Sequence, residues 1–221
     1  MEYRIEGVLA QMAHLEFAQG ETCWAHTGSI LVMDPDLEWN IKVPGDAGAI
    51  GKRILSGGGL SMIHFEAKRN GQKATLSTHH PGKIITWDLA QQGPVVATRG
   101  SFVAAWGGDV HIDVMTPARA RAAFFGGAGL FLQKVSGQGT ALLHGAGDFI
   151  DLTLGQGEQI LASTGNISAF AQSVDYDVQG VGGFKKAVMG GEGGFMAKLT
   201  GPGRVLLQSM RHEIADETSS R

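Results

Sequence analysis

Residues 124–139 read FFGGAGLFLQKVSGQG, and this run, which is both apolar and rich in glycine, decides the fold. Related runs occur twice more, as VMGGEGGFMAKLTGPG at residues 188–203 and, in a weaker form, as LSGGGLSMIHF at residues 55–65. A phosphate-binding loop, a membrane-touching tip and a repeated sheet connection would each imply a different protein. Because the run recurs, it favours repeated architecture over a single chemical site.

Two further landmarks recur in the same order. A small-residue turn appears as AHTGSI, ATRGSF and ASTGNI, around Gly28, Gly100 and Gly165. A strand that alternates apolar and polar residues follows each turn, as LEWNI, VHIDV and VDYDV, starting at residues 37, 110 and 174. The turn glycines are 72 and 65 residues apart, so the repeat length is close to one third of the chain.

These repeats predict a mainly β protein: a single domain of three related β lobes with internal pseudo-threefold symmetry. The predicted domain covers residues 1–210, with approximate repeats 1–78, 79–145 and 146–210, and residues 211–221 form a mobile C-terminal tail. Alternation with a period of two is typical of a half-buried strand. Short helices are expected before the Gly-Gly pairs, where basic residues would lie favourably near the negative end of a helix dipole.

Several glycines are predicted to hold structural turns: Gly59, Gly129, Gly139, Gly193 and Gly203. The GQG and GPG turns, which lie between apolar runs, are interpreted as hairpin connections. Gly129 is expected in a close-packed backbone turn. The aromatic and apolar residues around it are expected in the core or in a subunit interface: Phe124, Phe125, Leu130 and Phe131.

Composition excludes several classes of protein. The 221-residue chain has a formal charge of −3 with both signs scattered, which disfavours nucleic acid as a partner. One cysteine, Cys23, cannot close an intrachain disulfide and has no activating Lys or Arg beside it. The first ten residues alternate polar with apolar and lack a secretory signal pattern, and no apolar run is long enough to span a membrane. The expected location is the cytoplasm, with peripheral membrane association as a variant of it.

No catalytic motif is present in the sequence. The chain lacks the P-loop ending, the GxGxxG fingerprint and the GxSxG nucleophile elbow, so no cofactor and no catalytic residue is predicted. The alternative is a metal-dependent, cupin-like small-molecule enzyme. Its nearest ligand candidates would be His111, Asp113, His79 and His80, but a polar solvated face explains the same residues, and no metal ligand is assigned.

Basic residues beside the Gly-Gly pairs form the candidate interface. They are Lys52, Arg53, Arg119, Arg121, Lys185 and Lys186, and Phe124 and Phe125 adjoin the second pair. In a pseudo-threefold molecule, equivalent segments would cluster at one end. Such a surface could meet a protein partner or an anionic membrane, where nearby cations contribute about 1 kcal/mol each. Capping of short helices is the alternative interpretation of these residues.

The combined pattern resembles the bacterial branch of the altered-inheritance-of-mitochondria family. The residues that carry the resemblance are QGETCWAHTGSILVMD, the two long glycine-rich runs, SVDYDV and the terminal GPGRVLLQS. The resemblance implies a β-rich fold similar to the tryptophan RNA-binding attenuator class, with three related lobes and homo-oligomers. The mitochondrial relatives are associated with inner-membrane organisation. The resemblance implies no catalytic residues, so the expected function is that of a non-enzymatic oligomeric scaffold or of a binding protein whose ligand is unresolved.

Overall fold

The computed structural model describes residues 1–44, 61–98, 100–115, 132–180 and 195–211. Within these ranges the protein is mainly β, with antiparallel strands in four sheets of four, six, six and three strands. One α-helix, α1 (Leu89–Gln92), and one 3₁₀ turn (Thr164–Asn166) are the helical elements of the same ranges. The expectation of a mainly β fold is confirmed.

The strands in chain order are β1 (Glu2–Glu6), β2 (Met12–Phe17), β3 (Thr22–His26), β4 (Ile30–Met33), β5 (Glu38–Lys42), β6 (Met62–Glu66), β7 (Gln72–Leu76), β8 (Gly82–Asp88), β9 (Val95–Thr98), β10 (Phe102–Trp106), β11 (His111–Met115), β12 (Leu132–Ser136), β13 (Thr140–Ala146), β14 (Phe149–Leu154), β15 (Gln159–Ser163), β16 (Ile167–Ala171), β17 (Asp175–Gly180), β18 (Phe195–Thr200) and β19 (Gly203–Gln208). The sheet orders are β1-β2-β7-β4, β5-β6-β3-β10-β13-β8, β11-β12-β9-β16-β19-β14 and β15-β18-β17. Most of the strands that pair are not consecutive in the chain, because the chain usually passes from one sheet to another between consecutive strands.

Four pairings recur along the chain. Among strands β2 to β7, the first pairs with the sixth, the second with the fifth, the third with the sixth and the fourth with the fifth. Strands β8 to β13 and strands β14 to β19 use the same four pairings. Each third strand also carries one register shift against its sixth strand, between Ile30 and Val32, between Phe102 and Ala104 and between Ile167 and Ala169.

Two further pairings join these groups of strands. β3 pairs with β10, and β9 pairs with β16, so the second strand of one group lies beside the third strand of the next. Each six-stranded sheet is therefore built half from one group and half from the following group. Three of the junction strands, β9, β10 and β16, are buried at every residue. Their sequences fit this burial, since they are short, mainly apolar runs that do not alternate with polar residues.

The buried side chains of the described residues form two clusters, which lie on opposite faces of the six-stranded β5-β6-β3-β10-β13-β8 sheet. Ala104 on β10 belongs to the cluster with Phe17 and Phe65, whereas the next residue, Ala105, belongs to the cluster with Trp87. Successive side chains of a strand point to opposite faces, so one central strand serves both clusters. This sheet has packing partners on both sides.

The predicted hairpins at the GQG and GPG turns are wrong. β12 pairs with β11 and β9, while β13 pairs with β10 and β8, and β18 and β19 are separated in the same way. The sequence pattern specifies a turn but not the hydrogen-bonding partner of the strands it joins. Both edges of β13 are already occupied, so the turn carries the chain from one sheet to another.

Each of the two described turn glycines lies too close to neighbouring atoms to carry a side chain. A Cβ on Gly139 would lie 2.1 Å from the carbonyl oxygen of Trp106. Gly203 has a φ of +147°, and a Cβ there would lie 2.8 Å from atoms of Ser173 and Val174. Both positions therefore need glycine, one for the close contact alone and the other also for its backbone conformation. The other predicted turn glycines, Gly59, Gly129 and Gly193, lie outside the described residues.

The described helix was not expected from the sequence. α1 follows β8 directly, and the Asp88 side chain accepts hydrogen bonds from the backbone N–H groups of Ala90 and Gln91, as an N-cap does. The helix ends at Gly93, whose φ is +72°. The short helices expected before the Gly-Gly pairs lie outside the described residues, as does the predicted tail beyond Arg211.

Candidate interaction surfaces

The predicted basic interface lies in three connections that the structure does not describe. These connections, residues 45–60, 116–131 and 181–194, contain all eight interface candidates: Lys52, Arg53, Arg119, Arg121, Phe124, Phe125, Lys185 and Lys186. Leu130 and Phe131 lie there too. The strands that bracket them are described: each connection joins the antiparallel pair β5–β6, β11–β12 or β17–β18. Each pair occupies the same place in the recurring scheme.

The bracketing strand pairs carry matched polar positions on one face. Lys134 on β12 lies opposite Asp113 on β11, with Nζ 3.9 Å from Oδ2. Lys198 on β18 lies opposite Asp177 on β17. In the β5–β6 pair, Asn40 and His64 occupy the corresponding positions. The sequence identified these polar residues as a solvated face but did not identify the cross-strand cations.

His64 occupies the position of Lys134 and Lys198, but unlike a lysine it is held toward its neutral form by its surroundings. Its Nδ1 lies 3.2 Å from Nζ of Lys42, and its ring meets the edge of Trp24 at a centroid distance of 4.6 Å. Burial lowers the pKa of His64, and the positive charge of Lys42 lowers it further, against a smaller opposing effect of Glu66. A neutral imidazole can accept a hydrogen bond from the ammonium group of Lys42.

The metal candidates of the enzyme alternative have other contacts. Asp113 faces Lys134, and His111 lies opposite Ser136 with an exposed side chain. His79 packs against His26, with ring centroids 6.0 Å apart, and His80 follows it in the turn before β8. The part of the chain that the structure describes holds no group of three or more His, Cys, Asp or Glu side chains that could bind a metal ion.

Cys23 is buried in the core and not in a reactive setting. It lies on β3 with no exposed surface, and its thiol donates to the backbone carbonyl of Trp24 at 3.4 Å. Burial raises the pKa of the Cys23 thiol far above its usual range. The thiol therefore stays protonated at neutral pH, whereas a nucleophile or metal ligand needs the thiolate.

Two strand edges expose apolar side chains that sequence reasoning missed. Leu31 and Val32 on β4 are 55% and 60% exposed, and Leu161 on β15 is 61% exposed. Both strands lie at the edge of a described sheet. Part of the signal was available in ILVMD, which comes at the small-residue turn as β10 and β16 do, but has Val32 where those strands have Ala104 and Ala169. Exposed apolar edges are a common site of pairing with another chain.

None of the helices in the described ranges has the length and hydropathy of a membrane span.

The family of the chain follows from comparison with known proteins. The profile described as mitochondrial biogenesis AIM24 matches residues 3–210, so this antiparallel β protein belongs to that family. A crystal structure of a Streptococcus pyogenes protein from a structural genomics programme is similar, with a TM-score of 0.78 and 22% identity over 95% of this chain and 94% of that one. At this identity the likeness establishes the fold alone. No functionally curated protein matches the sequence.

Proposed function

We propose that this protein is a non-enzymatic oligomeric scaffold that binds an anionic membrane surface through the three basic connections. The observation that carries the proposal is the common position of β5–β6, β11–β12 and β17–β18 in the pairing scheme. The connection between the two strands of each pair contains two basic residues. Several weak contacts on one body bind cooperatively, because the second and third contacts form at a high effective concentration.

Pseudo-threefold symmetry of the three lobes is part of this proposal. The four recurring pairings and the three matching register shifts support it. The proposed repeat boundaries, 78/79 and 145/146, fall between β7 and β8 and at the last residues of β13. With such symmetry the three connections would lie at one end of the molecule and point to the same surface. Neighbouring groups of strands share the two six-stranded sheets, which supports the proposal that residues 1–210 form a single domain.

The proposal predicts a charge-dependent interaction with lipid. Wild-type protein should sediment with vesicles that contain phosphatidylserine and not with neutral phosphatidylcholine vesicles, and added salt should weaken sedimentation. The variant Lys185→Gln/Lys186→Gln should bind less. The control Arg4→Gln/Lys73→Gln removes the same charge from two exposed side chains on β1 and β7, so it should bind as the wild type does. Equal sedimentation of both variants, or no sedimentation of the wild type, would remove the membrane proposal.

Elemental analysis of untagged protein separates this proposal from the enzyme alternative. A stoichiometric transition metal would favour the cupin-like enzyme and direct mutagenesis to His111, Asp113, His79 and His80. Metal-free protein that still binds anionic vesicles would favour the scaffold.

A further inference from the structure

The junctions between groups of strands follow one register. In the first junction Ala25 lies opposite Ala104 and Trp24 opposite Ala105. In the second, Ala97 lies opposite Ala169 and Val96 opposite Phe170. The second strand of a group therefore meets the third strand of the next group at the same relative position, with an alanine pair at the centre.

One second strand and one third strand of the described scheme remain without this pairing. A closed threefold arrangement would pair these two strands within one chain. Here β15 is an edge of the three-stranded sheet, β4 is an edge of the four-stranded sheet, and Leu161 and Val32 are exposed, so the third junction is open in the single chain. β4 carries the same register shift as β10 and β16, which are the two strands that accept a second strand. Its backbone therefore has the same local irregularity as the strands that already form a junction.

Burial shows what the missing junction would cover. Val32 on β4 corresponds to Ala104 and Ala169, which have no exposed surface. Leu161 on β15 corresponds to Val96, which is buried, and to Trp24, which is half-buried. Val32 and Leu161 are exposed by contrast, so the two edges present apolar side chains at positions that are buried or half-buried in the internal junctions.

We propose that β15 of one copy pairs antiparallel with β4 of a second copy of this chain. The internal register places Ala162 opposite Val32 of the second copy and Leu161 opposite its Met33. The three-stranded sheet of one copy thereby continues into the four-stranded sheet of the next. Because the two edges differ, the contact is head-to-tail and closes into a ring or extends into a filament. This inference rests on the oligomeric part of the proposed function and is independent of its membrane part.

Light scattering of single charge variants tests the interface. Wild-type protein should have a molar mass at least twice the 23.3 kDa of one chain. Val32→Lys and Leu161→Lys should each reduce it to one chain mass, because an edge lysine blocks strand addition. Ile150→Lys is the matched control, since Ile150 is 55% exposed on β14, another edge strand. Thermal melting monitored by circular dichroism should show all three variants folded.

Cysteine crosslinking tests the register and the partner. Met33→Cys and Leu161→Cys chains, co-expressed and treated with a short bismaleimide, should give a crosslinked dimer of the two variants, and neither variant alone should do so. Cys23 is present in every sample and is buried, so wild-type protein measures its background.

Three results would overturn the inference. They are a monomeric wild type, an oligomer that survives both lysine variants, and a double variant Met33→Cys/Leu161→Cys that crosslinks within one chain. The second result would leave an oligomeric scaffold with a different interface, and the third would mean that the two edges meet inside a single molecule. Vesicle sedimentation of the lysine variants is read separately, so failure of the interface and failure of membrane binding are distinguishable.

Discussion

Ala104 on β10 and Val32 on β4 follow the same register shift in the same type of strand, yet their surroundings differ completely. Ala104 has β3 on one side and β13 on the other, and both faces of its sheet are covered. Among the described strands, Val32 has only β7 beside it. The local backbone is alike in the two places, so the difference in burial comes from the neighbouring strand. Pairing between groups, rather than the strand's own sequence, makes a position part of the core.

The largest expected effect comes from placing a charge at both positions. Ala104→Lys should lower the free energy of unfolding by roughly 4 kcal/mol or more, because the ammonium group would be buried without a partner. Val32→Lys should change it by no more than about 0.5 kcal/mol, since the side chain can reach water. Urea denaturation of both variants, at protein concentrations where the chain is monomeric, makes the comparison. Similar losses at the two sites would mean that β4 is covered within the chain.

A second comparison concerns the turn that follows β12. Gly139→Ala should cost about 1–3 kcal/mol, because its methyl group would collide with the carbonyl oxygen of Trp106 and the β10 end of the junction would have to move. Gly108→Ala is the control, since a Cβ at Gly108 meets no atom of the described residues within 4 Å. Chemical denaturation should rank Gly139→Ala well below the control. Equal stability of the two variants would contradict the close approach described for Gly139.

A third comparison concerns a buried hydroxyl near the second junction. Ser168 on β16 donates from Oγ to the backbone carbonyl of His144 at 2.9 Å, and both residues are buried. Ser168→Ala should cost about 1 kcal/mol, because this donor is lost inside the core. Ser173→Ala, at an exposed site between β16 and β17, should cost less than that. Thermal melts of the pair measure the difference, and a neutral Ser168→Ala would show that the carbonyl finds another donor.

The smallest effect is a pH dependence beside the first junction. His64 contacts Trp24, which lies opposite Ala105, and the pKa of His64 is lowered in the folded state. The unfolded state therefore binds more protons between the lowered pKa and the ordinary value of about 6.5, so stability falls as the pH falls through that range. At higher pH the full stability is retained.

Replacement of His64 should reduce this loss. As the pH falls below the ordinary histidine value of about 6.5, wild-type protein should lose more stability than His64→Gln does, because only the wild type has this lowered pKa. His111→Gln, at an exposed position on β11, serves as the control and should follow the wild type. Parallel stability curves for wild type and His64→Gln would argue against a lowered pKa.

The sequence was informative where a pattern depends on local geometry. VHIDV alternates as predicted, with Ile112 buried and His111 exposed, because a half-buried strand has a period of two. LEWNI has the same pattern and forms β5, yet Trp39 and Ile41 are exposed. Alternation identifies the apolar face of a strand but not whether another layer covers it.

Partner choice was beyond the sequence pattern. The GQG and GPG turns join apolar runs and so predict hairpins, but the strands they join belong to different sheets. The open edges were missed for the same physical reason: exposure of Val32 depends on a strand that is distant in the chain. The basic residues proposed for the interface stay predictions, since they lie outside the described residues.

The single buried thiol gives the molecule an internal reporter of its own opening. Cys23 lies on β3, between β6 and β10, with no exposed surface. A thiol reagent can reach it only during fluctuations that open the core cluster it shares with Phe17 and Phe65, so the labelling rate measures how often this part of the core opens under native conditions. Mass spectrometry of the labelled chain would thus time the local unfolding of this protein without any engineered probe.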